Sequence, residues 1–135
     1  DPMKKTLSLA LMLAMAAAAA PAAALPPLGE NDYVTERLIA ARVADRIRKT
    51  CPDISARILY AFSEARALVA WAEDQGYSED EIDGFLDDRK EKRKIYEAAE
   101  TYLTENGAVD EAGFCALGRA EIEKGSIIGS LIYEN

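Results

Sequence analysis

The chain has 135 residues, 24 acidic and 16 basic, a net charge of −8, no histidine, two cysteines and three methionines. Without histidine there can be no Ser-His-Asp or Cys-His nucleophile arrangement and no zinc or haem site built on imidazole. An acidic surface repels nucleic acid and anionic lipid at long range, so no nucleic-acid partner is expected.

The first segment, residues 1–24, reads as a secretory signal peptide. Lys4 and Lys5 form the positive n-region, Leu7 to Ala20 the apolar h-region, and Ala22-Ala23-Ala24 the small-residue cleavage site. Asp1 and Pro2 read as a remnant ahead of an initiator Met3. The apolar core has 14 residues, short of the roughly 20 a spanning helix needs, so cleavage is expected rather than retention as an anchor. Cleavage would leave 111 residues with a net charge of −9 and no membrane span. Met3, Met12 and Met15 all lie in the leader, which removes thioether ligands for copper or haem from the mature part. No cofactor and no metal site are therefore expected, and the compartment is periplasmic or extracellular.

Residues 25–31 read as an extended, Pro- and Gly-containing leader, and 32–135 as a helical domain. From Asp32 to about Lys49, Ile39, Val43 and Ile47 recur every four residues beside Ala40 and Ala44, which predicts an amphipathic helix. Thr50-Cys51-Pro52-Asp53 resembles a capping box opening a second helix. Ile54, Ile58, Ala61, Phe62, Ala65, Leu68, Val69 and Ala72 then keep helical spacing for five turns, with Tyr60, Ala67 and Trp71 as a second stripe. This pattern predicts a central helix buried on more than one side. Gly76 suits a left-handed helix end, and Ser78 with Glu81 suits the start of the next helix. Two readings stand for 78–103: a short helix ending near Asp88, or one long helix to Leu103. Asn106-Gly107 ends it, Asp110 caps a further helix, and Gly125 closes that one. The tail, Ser126 to Asn135, fits a short helix or an extended strap. No run alternates with period two for long enough to argue a sheet. The fold class is all-α: a single-domain bundle of four to six helices.

Cys51 and Cys115 are the only cysteines, and in an oxidising compartment they are expected to form a disulfide. A redox pair would place them two apart beside a strand–helix turn. In the chain-entropy model, closing a loop of this length stabilises by roughly 4 kcal/mol.

The acids of 78–88 meet no register of a helix–loop–helix calcium site: with Gly84 at position six, Lys90 falls at twelve. Arg89, Lys90, Lys92, Arg93 and Lys94 could dock an acidic partner or lipid head groups; the competing reading is a solvated face with Asp88–Lys92 and Arg93–Glu97 pairs. Arg119 could anchor a ligand carboxylate or a partner, or be a buried arginine paired with a helix-end carbonyl or an acid. Phe62, Trp71 and Tyr102 could line a ligand cavity, although aromatics at helical spacing more often fill a core.

The Cys-Pro near the second helix, the Gly-Tyr-Ser-x-x-Glu-Ile turn (Gly76 to Ile82) and Cys-x-x-Gly-Arg-x-Glu-Ile followed by Gly-Ser-x-Ile-Gly (Cys115 to Gly129) together give a resemblance. The chain resembles a family of small secreted bacterial proteins described only as a domain of unknown function. The resemblance implies a helical secreted domain and supplies no activity, so no catalytic residue is carried over. The expectation is a non-enzymatic accessory or interaction domain that binds another envelope protein. The alternative is a carrier of a small apolar ligand near Phe62, Trp71 and Tyr102, with a carboxylate-based enzyme behind both. The sequence leaves the oligomeric state open.

Overall fold

The computed structural model describes residues 24–135. The signal-peptide reading of 1–24 falls, apart from Ala24, outside them. Six helices follow a 3-10 turn at Leu28–Glu30: α1 (Asp32–Thr50), α2 (Ile58–Gln75), α3 (Glu79–Asp87), α4 (Arg89–Glu105), α5 (Glu111–Lys124) and α6 (Ile127–Ser130). Two three-residue strands, β1 (Ile54–Ala56) and β2 (Ile132–Glu134), pair antiparallel with Ser55 opposite Tyr133.

The centre of the bundle is α1, not α2. It packs against α4, α5, α6 and β1, and its Val43 and Ile47 are wholly buried with Ala99 and Leu103 of α4, Phe114 and Leu117 of α5, and Ile132 of β2. The reason starts at Cys51-Pro52. A residue before proline is pushed out of the helical region, and Cys51 is extended at φ −98°, ψ 114°. Thr50 therefore ends α1 instead of capping a new helix, and Ile54 is spent on a strand that buries it beside α1. Three residues per strand are too few for a period of two to be legible, which is why the small sheet escaped the sequence pattern.

The tail adopts both of its expected forms in succession: a single turn of helix, α6, then β2. The peptide N–H of Asn135 donates to the Asp53 carbonyl at 2.9 Å and its side chain to the Pro52 carbonyl at 3.0 Å, closing the end of the chain onto the β1 turn. Asp88 divides 78–103 into two helices. It is extended (φ −72°, ψ 120°), and its carboxylate accepts from the amides of Lys90 and Glu91 at 2.8 and 3.0 Å. That cap occupies the acid that was expected to pair with Lys92. The turns read from sequence hold: Ser78 caps α3, Asp110 caps α5, and Gly76 and Gly125 close α2 and α5 with positive φ.

Cys51 and Cys115 are bonded, with Cα atoms 5.2 Å apart. The bridge ties the end of α1 to the middle of α5 across the main core. A second, smaller core joins Leu28, Val34, Ala72, Tyr77 and Ile82, with Leu68, Val69 and Trp71 against it. Here the leader is part of the fold: the Tyr77 hydroxyl donates to the Pro26 carbonyl at 2.5 Å and accepts from the Asn31 amide at 3.2 Å.

Candidate functional site: the exposed face of helix α2

α2 is the most apolar helix of the domain that remains largely in water. Its C-terminal half reaches the small core through Leu68, Val69, Trp71 and Ala72, and Trp71 stacks on Tyr33 of α1 at 4.0 Å between ring centroids. Its N-terminal half does not pack in this way. Leu59 is 86% exposed, Phe62 65% and Ile58 62%, with Tyr60 and Tyr133 of β2 also exposed.

Chain connection explains the arrangement. The Arg57 amide donates to the Leu131 carbonyl at 2.8 Å, so the start of α2 is tied to the chain just ahead of β2, and α2 lies beside α1. Between them a groove of about 220 Å³ remains, walled by Ala41 and Ala44 of α1 and Ala61 and Ala65 of α2. Beside the start of α2, Ala56, Ile58, Tyr60, Ser130 and Tyr133 line an open hollow of about 630 Å³. The Arg57 guanidinium lies 5.4 Å from the Tyr133 ring centroid at its edge.

The expected ligand-lining residues are not brought together. Phe62 faces solvent, Trp71 belongs to the small core, and Tyr102 lies on α4 against α5. The basic run sits on the solvated side of α4. Arg89, Lys92 and Arg93 border an open hollow of about 520 Å³ with Tyr96, Glu97 and Glu100, while Lys90 is exposed and Lys94 pairs with Glu91 at 3.5 Å. Arg119 is half exposed rather than buried. It reaches Asp53 at 3.3 Å and Glu134 at 2.9 Å, clasping α5 to the β1 turn and to β2.

Sequence reasoning missed Glu121, whose side chain is 1% exposed. Its carboxylate accepts hydrogen bonds from the Tyr102 and Ser126 hydroxyls and an ion pair from Lys124 at 3.2 Å. Burial pushes its pKa up, but the bonds from Ser126, Tyr102 and Lys124 outweigh this and hold it below the ordinary value. Burial and the neighbouring carboxylate push the Tyr102 hydroxyl up to about 12. The signal available in the sequence was Ser126 at a helix start, five residues from an acid on the apolar side of α5.

Among the described residues, Cys51, Asp53 and Cys115 are grouped closely enough to hold a metal ion. With both sulfurs in the disulfide, no thiolate is left to ligate, and Asp53 alone does not make a site. No described helix is long and apolar enough to cross a membrane.

No curated protein and no solved structure matches the chain. The model of a family of unknown function, DUF5333, matches residues 26–133, from the leader that packs beneath Tyr77 to the second strand. The chain belongs to that family.

Proposed function

We propose that the protein is a non-enzymatic interaction domain of the cell envelope or extracellular space, and that it meets its partner through the N-terminal half of α2. The observation that carries this reading is the cluster of Ile58, Leu59, Tyr60 and Phe62 left in water on one and a half turns of helix. Single exposed apolar residues are ordinary; a contiguous group beside an apolar hollow marks a contact surface. The disulfide supports an oxidising compartment. The buried Glu121 is accounted for as structure: Tyr102, Ser126 and Lys124 fill its lone pairs and join α4, α5 and the start of α6.

The test is in-cell cross-linking in the envelope of cells that make the protein. Cross-links formed by the wild type should vanish with Leu59→Glu plus Phe62→Glu and persist with Lys92→Glu plus Arg93→Glu. If the α2 pair leaves every cross-link in place, this face is not the contact surface.

A further inference from the structure

We infer that the protein binds a small organic carboxylate with an apolar body in a hollow between α1, α3 and α4. This site stands apart from the exposed start of α2 and goes beyond the contact-surface reading.

Arg42 carries the argument. Its guanidinium lies over the Tyr96 ring, 4.1 Å from the centroid, a contact that fixes the plane of the group. The side chain is only 27% exposed. Nε is buried without a hydrogen-bond partner, and Nη1 stands 3.8 Å from Asp45, beyond hydrogen-bond range. Asp45 is occupied instead by Arg48 and Lys49, at 2.8 Å each. An arginine this far out of water normally has its fork filled. Because packing closes off Nε, the place left for an acceptor is the end of the fork. There two parallel N–H groups match the two oxygens of one carboxylate.

The walls call for an apolar body behind that carboxylate. Arg42 and Tyr96 line a hollow of about 320 Å³ with Leu38 of α1, Phe85 and Leu86 of α3, and Ile95 of α4. At roughly 30 Å³ for each water-sized group, such a space suits about ten non-hydrogen atoms, the size of a medium-chain or aryl carboxylate. An inorganic anion would leave the apolar walls in water, and a neutral hydrocarbon would leave the fork of Arg42 unfilled.

Local charge selects an anion. The chain carries −8, yet cations prevail at this hollow. Lys92 stands in its wall, and the acid spaced to pair with it, Asp88, is turned back to cap α4. Of the two acids lining the hollow, Asp45 already meets two cations. The other, Glu91, packs over Gly29, where a Cβ would be driven into its carboxylate, and pairs with Lys94 at 3.5 Å. Glu100, a further acid within the field of Arg42, is held by Arg46 at 2.6 Å. A cationic ligand would face Arg42 and Lys92 with each of these acids already paired.

The test is an amide NMR titration of isotope-labelled protein, as purified from the cells that make it, with octanoate, octanol and octylammonium. Octanoate should move the amides around Arg42, Leu86 and Ile95 saturably, with a Kd of roughly 1 mM or below, the reach of a ligand of this size. Octanol, with the same tail and no charge, and octylammonium should bind at least about 10-fold more weakly, the loss of a hydrogen-bonded charge. Arg42→Met keeps the stem over Tyr96 and should weaken octanoate by about 10-fold or more while leaving octanol unchanged. Arg42→Lys should not restore affinity, because an ammonium lacks the planar fork. Leu86→Asp, at an exposed position, should abolish octanoate binding with an unchanged melting temperature, and it decides the matter if Arg42→Met fails to fold. Octanol binding as tightly as octanoate overturns the inference, as do shifts confined to the start of α2. So does a folded Arg42→Met or Leu86→Asp variant that binds octanoate like the wild type, or the absence of any shift at roughly 10 mM octanoate.

Discussion

Glu121 sits with its carboxylate wholly out of water, accepting from two hydroxyls and a lysine at the corner between α5 and α6. A buried charge survives only when its lone pairs are filled, and here the groups that fill them come from three elements. Ser126 bonds in two directions: its hydroxyl donates to Glu121 and accepts from the Gly129 amide at 3.0 Å, which caps α6. Replacing Glu121 with Gln keeps the shape but removes the charge and one acceptor. We expect a loss of about 2 kcal/mol in urea unfolding, in the range for a buried group left partly unpaired. The pH dependence has a fixed sign. Because the folded pKa of Glu121 is lowered, its contribution is present above the ordinary value of 4.5 and lost as pH falls through the folded value. The raised Tyr102 contributes below pH 10, and its contribution is lost as pH rises from 10 to about 12. Glu121→Gln should therefore flatten the acid limb of the stability profile, read by thermal melts from pH 3 to 6.

At the scale of elements, two glycines at helical positions separate close packing from empty space. A Cβ on Gly129 would be driven into the Glu121 carbonyl, whereas a Cβ on Gly84 of α3 meets nothing within 4 Å. Gly129→Ala should cost about 2 kcal/mol through overpacking against backbone, and Gly84→Ala should stabilise by about 0.5–1 kcal/mol by narrowing the unfolded chain's freedom. Urea midpoints of the two variants, moving in opposite directions, check both. The same local chemistry governed what was legible in the sequence. Ser78, Asp110, Gly76 and Gly125 marked helix ends because caps act over three or four residues and leave their signal in adjacent positions. The burial of α2 was misjudged because periodicity reports that a helix has an apolar stripe, not what lies opposite it. Ile58 and Phe62 carry the same spacing as Leu68 and Ala72, yet only the latter pair finds a partner. The α2 contact face was thus present in the sequence as an apparent core. Glu121 was only partly legible: Lys124 and Ser126 lie three and five residues beyond it, but Tyr102 reaches it from α4 only in the folded chain.

For the whole molecule, the disulfide joins the two helices that contribute most to the main core. Cys51 is wholly buried at the end of α1, and Cys115 lies in the middle of α5, 64 residues away. α1 contacts α4, α5 and α6 together, so fixing its end to α5 fixes the frame on which β1, β2 and Arg119 close. α2, by contrast, lies inside the loop closed by the bridge while packing mainly through its C-terminal half. Reduction therefore acts unequally across the fold. The entropy restored to the unfolded chain amounts to roughly 4 kcal/mol, a large part of the 5–15 kcal/mol typical of whole domains. Opening the bridge with a phosphine reductant under mild denaturant should lower the unfolding free energy obtained from urea titration by roughly 4 kcal/mol, with a two-dalton mass increase confirming the opened bridge. Hydrogen exchange should distinguish two routes for the loss. Because α2 already carries few buried contacts, its N-terminal half should exchange fast with the bridge open or closed. The amides of α1 and α5 should lose their protection only on reduction. Uniform loss across α1, α2 and α5 would mean that α2 is held by the same cooperative unit as the core. An apolar face so firmly held would be a fixed contact surface, offered to its partner without prior ordering.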